Sequence, residues 1–299
     1  MESCELITVS IELKEMDGYT SETMLLQTEP DVWMPFTVLK PFNVLPQAPC
    51  IIATHGHHGG GRLAVCGRRD IPAVHDSLEI YHYDYGVSFV KAGYVVFAPD
   101  ARGFGERREW TKQGDSESDF LSSSCDQLNK MAISLGRSLT GMWVWDLMRL
   151  IDYIETRDDC DKQRIAVAGL SGGGLQALWL TAMEERIRCA IVSGYFYGYK
   201  DSLLKLSDNC ACNYVPDLWK WIDMGDLGAM IAPRPLLIES GDQDPLNGEN
   251  GLSNVFSQII IAQGAYTLIG APDHLQHSVC HGGHQWYGRA SETFLHRFL

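Results

Sequence analysis

The sequence predicts an α/β fold: a mostly parallel twisted sheet with antiparallel N-terminal strands, helices on both faces and a small excursion over the sheet. Short, nearly continuous apolar runs recur after residue 50, as expected for strands covered on both sides. Stretches with apolar residues at helical spacing separate them, and such alternation points to a sheet built with crossover helices. The first forty residues have a different texture, with short β-prone runs punctuated by Pro and Asp-Gly, which reads as antiparallel strands.

The antiparallel strands are expected at residues 6–13, 24–27 and 33–39. The buried strands follow at 50–54, 94–98, 164–168, 189–192, 235–238 and 265–269. Helices are expected over 139–156, where Met142, Trp145, Leu147, Met148, Ile151 and Ile154 recur mostly at 3.6 spacing, and over 174–185, 251–263 and 291–299. The segment 195–233 fits neither period. It contains Tyr195, Phe196, Tyr197, Tyr199, Tyr214, Trp219 and Trp221 and is expected to form a cap or lid-like excursion. The whole chain, 1–299, is therefore expected to be one domain with that cap.

Composition narrows the function. With 24 basic and 38 acidic residues the formal charge is −14, which repels phosphate backbones and anionic lipid. No basic stripe offsets it, since Arg107 and Arg108 are flanked by Glu106 and Glu109. Nucleic acid and membrane are thus excluded as expected partners, while the oligomeric state is left open, with room for a homo-oligomer. The N-terminus carries acids where a signal peptide needs bases, and no apolar run approaches the roughly 20 residues of a membrane span. The nine cysteines show no repeating spacing, and neither Cys210 with Cys212 nor Cys50 with Cys66 reads as a zinc knuckle. These features predict a cytoplasmic protein with free thiols and neither a metal nor a cofactor. No internal repeat is present, which argues against a propeller or solenoid.

The chemistry is carried by Gly169-Leu-Ser171-Gly-Gly173, a G-x-S-x-G pattern. It follows one expected strand without a gap and opens an expected helix, the placement a nucleophile elbow needs. A phosphate-binding turn is the competing reading, but the lysine of a P-loop and the dinucleotide spacing are both missing. A nucleophilic serine needs a base, an acid that orients it and donors for the oxyanion. On such a sheet the acid and then the histidine follow the serine in the chain. Asp244, beyond the Gly241-Asp242 turn, is the expected acid, with Asp242 the alternative. His284, framed by glycines before the last helix, is the expected base, with His281 second and His274 and His277 lining or capping the loop. The backbone N–H groups of Gly172 and His57 are the expected oxyanion donors.

The chain resembles the α/β-hydrolase superfamily, in particular bacterial serine esterases similar to dienelactone hydrolases and acetyl xylan esterases. The resemblance rests on His55-Gly56-His57, the stretch from Gly93 through Asp100-Ala-Arg102-Gly-Phe-Gly105, and Gly169-Leu-Ser171-Gly-Gly. It also rests on Ala232-Pro-Arg-Pro235 leading to Gly241-Asp-Gln-Asp244, and on Gly282-Gly-His284. It implies the α/β-hydrolase fold and an esterase, with Asp100 and Arg102 in a structural loop. The expected activity is hydrolysis of short, acetyl-type esters through a Ser-His-Asp triad and an acyl-enzyme. A small-molecule ester is the expected partner, and the Tyr- and Trp-rich excursion suggests an acetylated sugar.

Two rival enzymes are weighed against this. A metal-dependent hydrolase would use the imidazoles of His55, His57 and His58 with those of His274, His277, His281 and His284, yet no acid stands at Gly59 to complete a binuclear zinc motif. A serine peptidase of the prolyl oligopeptidase kind would carry a propeller, and no blade repeat exists. A non-catalytic protein on the same scaffold would not need every catalytic position filled.

Overall fold

Alternate residues of the central strands enter two different cores, which is why these strands read as continuous apolar runs. The computed structural model describes residues 1–112, 114, 116–206 and 209–299, with the backbone alone at 117 and 118. Cys50, Ile52, Val95, Phe97, Ile165 and Val167 enter one core. Ile51, Ala53, Val96, Ala98, Ala166 and Ala168 enter the other. Successive side chains on a strand point to opposite faces, so a sheet sandwiched between helices must be apolar at every position.

The strands are β1 (Thr8–Glu15), β2 (Tyr19–Glu29), β3 (Val32–Pro41), β4 (Ala48–Thr54), β5 (Val95–Pro99), β6 (Cys160–Leu170), β7 (Cys189–Ser193), β8 (Leu236–Gly241) and β9 (Leu275–Cys280). Among the described residues they form one sheet in the order β1-β2-β3-β5-β4-β6-β7-β8-β9. Pairing is antiparallel from β1 through β3 to β5 and parallel from β5 to β9. This is the α/β-hydrolase architecture expected from the sequence.

The helices are α1 (Arg62–Val65), α2 (Pro72–Tyr81), α3 (Tyr85–Lys91), α4 (Glu117–Leu121), α5 (Cys125–Ser134), α6 (Leu139–Glu155), α7 (Gly172–Met183), α8 (Met224–Ile231), α9 (Leu252–Leu268) and α10 (Ser291–Phe298). Helices α6 to α9 bury apolar residues in the first core. Helices α1, α2, α3 and α10 cover the opposite face. Several helices begin with side-chain caps: Ser116 accepts from the Asp119 N–H on α4, Ser138 from the Gly141 N–H on α6, and Asp223 and Asp226 form a capping box on α8. No helix among the described residues is long and apolar enough to cross a membrane.

One expected strand is not a strand. Residues 265–269 form the end of α9 and its C-cap. The buried positions of that helix, Asn254, Val255, Gln258, Ala262 and Tyr266, recur every four residues, so the apolar run at its end continues a helical face. The sheet is completed instead by β9, inside the segment expected to be a histidine loop. Pairing with β8, not side-chain hydrophobicity, makes β9 a strand, and Ile238 pairs with His277 there.

His277 is consequently held in the sheet, with Nε2 3.1 Å from Ser240 Oγ. Burial lowers its pKa to about 4. The unfolded chain takes up a proton near the ordinary imidazole value of about 6.5, whereas the folded chain resists it. This contribution to stability is therefore complete above pH 6.5 and is lost as the pH falls toward 4. Denaturant unfolding of wild type should weaken across that window, and His277→Gln should flatten the slope. An unchanged slope in the variant would assign the acid sensitivity to other groups.

The Asp100 and Arg102 loop is held by buried ion pairs, in keeping with the structural role that the family resemblance implies. Asp100 accepts from the Arg62 N–H at 2.7 Å and pairs with the Arg62 guanidinium. Arg102 makes a two-pronged pair with Asp146 at 2.8 and 2.7 Å, and Arg107 adds a third bond at 2.7 Å. Burial pushes the Asp146 carboxyl up, but the two guanidinium groups outweigh it and hold it below the usual carboxylate range. Such a buried network specifies geometry more than it stabilises, yet losing one partner costs about 3–5 kcal/mol.

Candidate active site

The carboxyl ends of the parallel strands converge on one side of the sheet, where α/β proteins place their ligands. Ser171 stands there between β6 and α7 with φ 60° and ψ −120°. A non-glycine residue in that region stores about 1–3 kcal/mol of strain, so its surroundings must hold it. They do so through the Ser171 N–H, which donates to the Ser193 carbonyl at 2.9 Å, and through its carbonyl, which accepts from the Leu175 N–H at 2.9 Å. The flanking glycines are required by close approach. A Cβ on Gly169 would overlap the Gly173 backbone, and one on Gly173 would overlap the Thr54 carbonyl.

Ser171 lines a cavity of about 590 Å³ together with His57, His284, Tyr195, Tyr197 and Asn213. His284 Nδ1 lies 2.7 Å from Asp244 Oδ2. The Asp244 side chain is only 2 % exposed and His284 15 %. Asp244 is fixed in turn by the Leu246 N–H, which donates to its other oxygen at 2.9 Å. A second Asp–His pair runs alongside, with His281 Nδ1 3.0 Å from Asp242 Oδ2, but His281 is 79 % exposed. Neither member of that pair lines the cavity. The two alternatives left open by the sequence are thus separated by burial and position.

His57 arrives from the loop after β4. Its Nδ1 lies 3.4 Å from Ser171 Oγ, and its ring covers Gly172, where an added Cβ would meet the imidazole. The loop is anchored by His55, whose Nε2 accepts from the Ala101 N–H at 3.0 Å and whose Nδ1 lies 2.8 Å from the Gly56 carbonyl. Nδ1 therefore carries the proton of a neutral ring, and burial lowers the His55 pKa accordingly. Gln176 donates to the carbonyls of His55 and Gly172 at 3.1 and 3.2 Å, tying the loop to α7. No protein acceptor among the described residues takes the N–H of Gly172 or of His57.

The remaining histidines do not gather. His58 stacks on Tyr81, His274 Nδ1 lies 2.6 Å from the Pro233 carbonyl, and His277 and His281 have the partners given above. The two sequence clusters therefore do not build the binuclear site the metal-dependent alternative requires. Among the described residues one group of ligand atoms does converge, that of His57, Cys210 and Cys212. Sequence spacing gave no sign of its link to the distant His57.

The aromatic segment is only partly in the site. Tyr195 and Tyr197 line the cavity, with the Tyr195 hydroxyl donating to Asn213 Oδ1 at 2.7 Å. Tyr199 and Trp219 stack on each other with centroids 4.0 Å apart, and Trp221 is 83 % exposed. Most of the aromatic content thus packs the segment itself. The cavity wall also carries Ser122, Ser123, Asp126 and Asn209, with no Lys or Arg among the described residues.

Comparison with known proteins agrees with this architecture. A family model described as the Abhydrolase family matches residues 2–282. The chain is 27% identical over 252 residues to the hydrolase YtaP of Bacillus subtilis (strain 168), covering 84% of this chain and 78% of that protein. It is 26% identical over 147 residues to the carbohydrate esterase MZ0003 of an unknown prokaryotic organism, covering 43% and 33%. A solved structure from Bacteroides fragilis NCTC 9343, described as an acetyl xylan esterase, superposes with a TM-score of 0.73 at 22% identity. That likeness covers 92% of this chain and 70% of the other.

Proposed function

From the premise that the chain belongs to the Abhydrolase family, we propose that it is a serine carboxylesterase removing short acyl groups from polar, sugar-like alcohols. The observation that carries the reading is the presence, on one cavity, of a serine in strained elbow geometry and a histidine bonded to a buried carboxylate. Ser171 Oγ attacks the ester carbonyl while His284 takes its proton, and Asp244 fixes the tautomer and stabilises the imidazolium. The N–H groups of Gly172 and His57 receive the oxyanion. The acyl-enzyme is released by water with His284 now activating the attacking molecule. Segment 195–233 acts as a cap that supplies Tyr195, Tyr197 and Asn213 to the alcohol side.

The substrate side of the reading is supported by the cavity wall. Serine, asparagine and tyrosine groups suit hydroxyls, and the absence of Lys and Arg among the described lining residues favours a neutral alcohol over an anionic one. The carbohydrate esterase and acetyl xylan esterase names of two similar proteins point the same way. The test compares kcat/KM for acetyl, butyryl, octanoyl and palmitoyl esters of one chromogenic alcohol, with acetate release from acetylated xylo-oligosaccharide alongside. Acetyl should lead, with each step modest because a methylene is worth about 1–3 kcal/mol in a fitted pocket. A maximum at octanoyl or beyond refutes the short-acyl part, and absent acetate release refutes the sugar part.

The acid has its own check. Asp244→Asn keeps the shape but presents the wrong hydrogen-bond character to His284, so kcat should fall about 10⁴-fold. Asp242→Asn should cost less than about tenfold because its partner lies outside the cavity. The reverse ranking would transfer the role to Asp242.

A further inference from the structure

Beside the nucleophile lie three thiols for which the serine chemistry has no use, next to the His57 imidazole. Cys210 and Cys212 flank Ala211 in a single 3₁₀ turn, Cys125 opens α5, and His57 comes from the loop after β4. The sulfurs of Cys210 and Cys212 and a ring nitrogen of His57 all lie within 4.8 Å of one another. His57 Nε2 is 3.1 Å from Cys212 Sγ, and the Cys125 thiol neighbours Cys210 and Cys212 but stands outside the group whose ligand atoms all lie within 4.8 Å of one another. The turn is held firmly. The Thr140 hydroxyl donates to the Cys212 carbonyl, and Asn213 Nδ2 donates to the Cys210 carbonyl at 2.9 Å.

Buried cysteines are often only small hydrophobes, and another close pair shows the difference. Cys50 and Cys160 also touch, on neighbouring strands, but no imidazole joins them. In the cluster beside Ser171, two sulfurs converge with a histidine nitrogen, and a third thiol lies next to them. Zinc binds Cys₃His sets tetrahedrally, with Zn–S about 2.3 Å and Zn–N about 2.0–2.1 Å, which puts ligand pairs about 3.5–3.8 Å apart. His57 Nε2 and Cys212 Sγ stand 3.1 Å apart and Cys210 Sγ lies within 4.8 Å of both, so these three ligands are near those edges, while the neighbouring Cys125 side chain has to turn inward to complete the set. Soft thiolates also select zinc over the hard oxygen-loving cations.

We propose that Cys125, Cys210, Cys212 and His57 Nε2 bind one zinc ion in a closed site beside the active-site cavity. This reverses the expectation from sequence that the chain carries no metal. Coordination through Nε2 leaves the proton of His57 on Nδ1, the atom that faces Ser171 Oγ. His57 would then be fixed as a donor and unable to act as the base, a consequence that rests on the esterase reading. The metal site itself does not rest on it.

The test is metal content, read without any substrate. Untagged protein grown with zinc and purified under reducing conditions without chelators should contain about one zinc per chain, as a closed structural site does. A thiol-specific mercurial should release it to a chromophoric chelator. Cobalt exchanged into the wild-type protein should show the ligand-field bands of a tetrahedral site and a thiolate-to-cobalt charge-transfer band. Cys212→Ser should weaken zinc binding by about 100-fold or more. If that variant fails to fold, the cobalt spectrum of wild type still decides. Reduced wild type that takes up no zinc, or cobalt bound without a thiolate charge-transfer band, would overturn the proposal. A mass two daltons low after air exposure, with no uptake of zinc after re-reduction, would instead identify the cluster as a disulfide-forming pair.

Discussion

On the proposed serine mechanism, Ser171→Ala should lower kcat for an aryl acetate by about 10⁶-fold, because the members of a triad act as a unit and little survives the loss of the nucleophile. The fold should survive the change, since among the described residues the Ser171 hydroxyl makes one long contact, 3.4 Å to His57 Nδ1. Alanine keeps the positive φ strained, whereas glycine does not, so Ser171→Gly should be equally inactive but more stable by about 1 kcal/mol. The measurement pairs steady-state rates with urea unfolding of all three proteins. Retention of a tenth of the wild-type rate by Ser171→Ala would remove the serine mechanism. A glycine variant less stable than the alanine one would mean that the elbow is not held under strain.

His284→Ala should be nearly as damaging, because among the described residues no other imidazole on the cavity has a carboxylate to orient it. Its ring is bonded to buried Asp244 at 2.7 Å, while the His57 ring is shared between Ser171 and Cys212. His281→Ala should retain most of kcat, as its exposed ring pairs with Asp242 outside the cavity. The informative comparison is His57→Ala. It removes a ring next to the nucleophile but keeps the backbone N–H, so a loss of about 10–100-fold is expected, well short of the His284 variant. If His57→Ala were the more damaging, the base would be His57 and the Asp244–His284 pair would have another role.

Much of this site is legible in the sequence because its parts are local. Gly169-Leu-Ser-Gly-Gly173 sits on a strand–helix junction that apolar patterning locates within two residues. Asp244 lies just past the strand read at 235–238, and His284 is the glycine-framed histidine before the last helix, so local sequence ranks Asp244 over Asp242 and His284 over His281. Burial and place relative to the cavity separate them from Asp242 and His281. The readings that failed depended on context. Residues 265–269 are apolar enough for a strand, and nothing local shows that they extend the buried face of α9. Strand β9, with Gln276, His277 and Ser278 at its centre, is polar in sequence and owes its conformation to β8. Helices α2, α3, α5 and α8 lie outside the expected elements because each is ten residues or fewer, shorter than the roughly 11–18-residue window over which helical periodicity is read. The thiol cluster was out of reach for another reason: its members stand at positions 57, 125, 210 and 212, and only the folded chain assembles them.

The catalytic assignment reduces to one covalent event, acyl transfer to Ser171, and it can be observed directly. A chromogenic phosphonate ester mimics the tetrahedral intermediate and traps the nucleophile that attacks it. Intact-mass spectrometry should show one adduct per chain, forming in step with loss of esterase activity. Peptide mapping should place it on Ser171, and Ser171→Ala should remain unlabelled. Complete labelling of the wild type at Cys210 or at another serine, or full activity surviving a stoichiometric adduct on Ser171, would contradict the account.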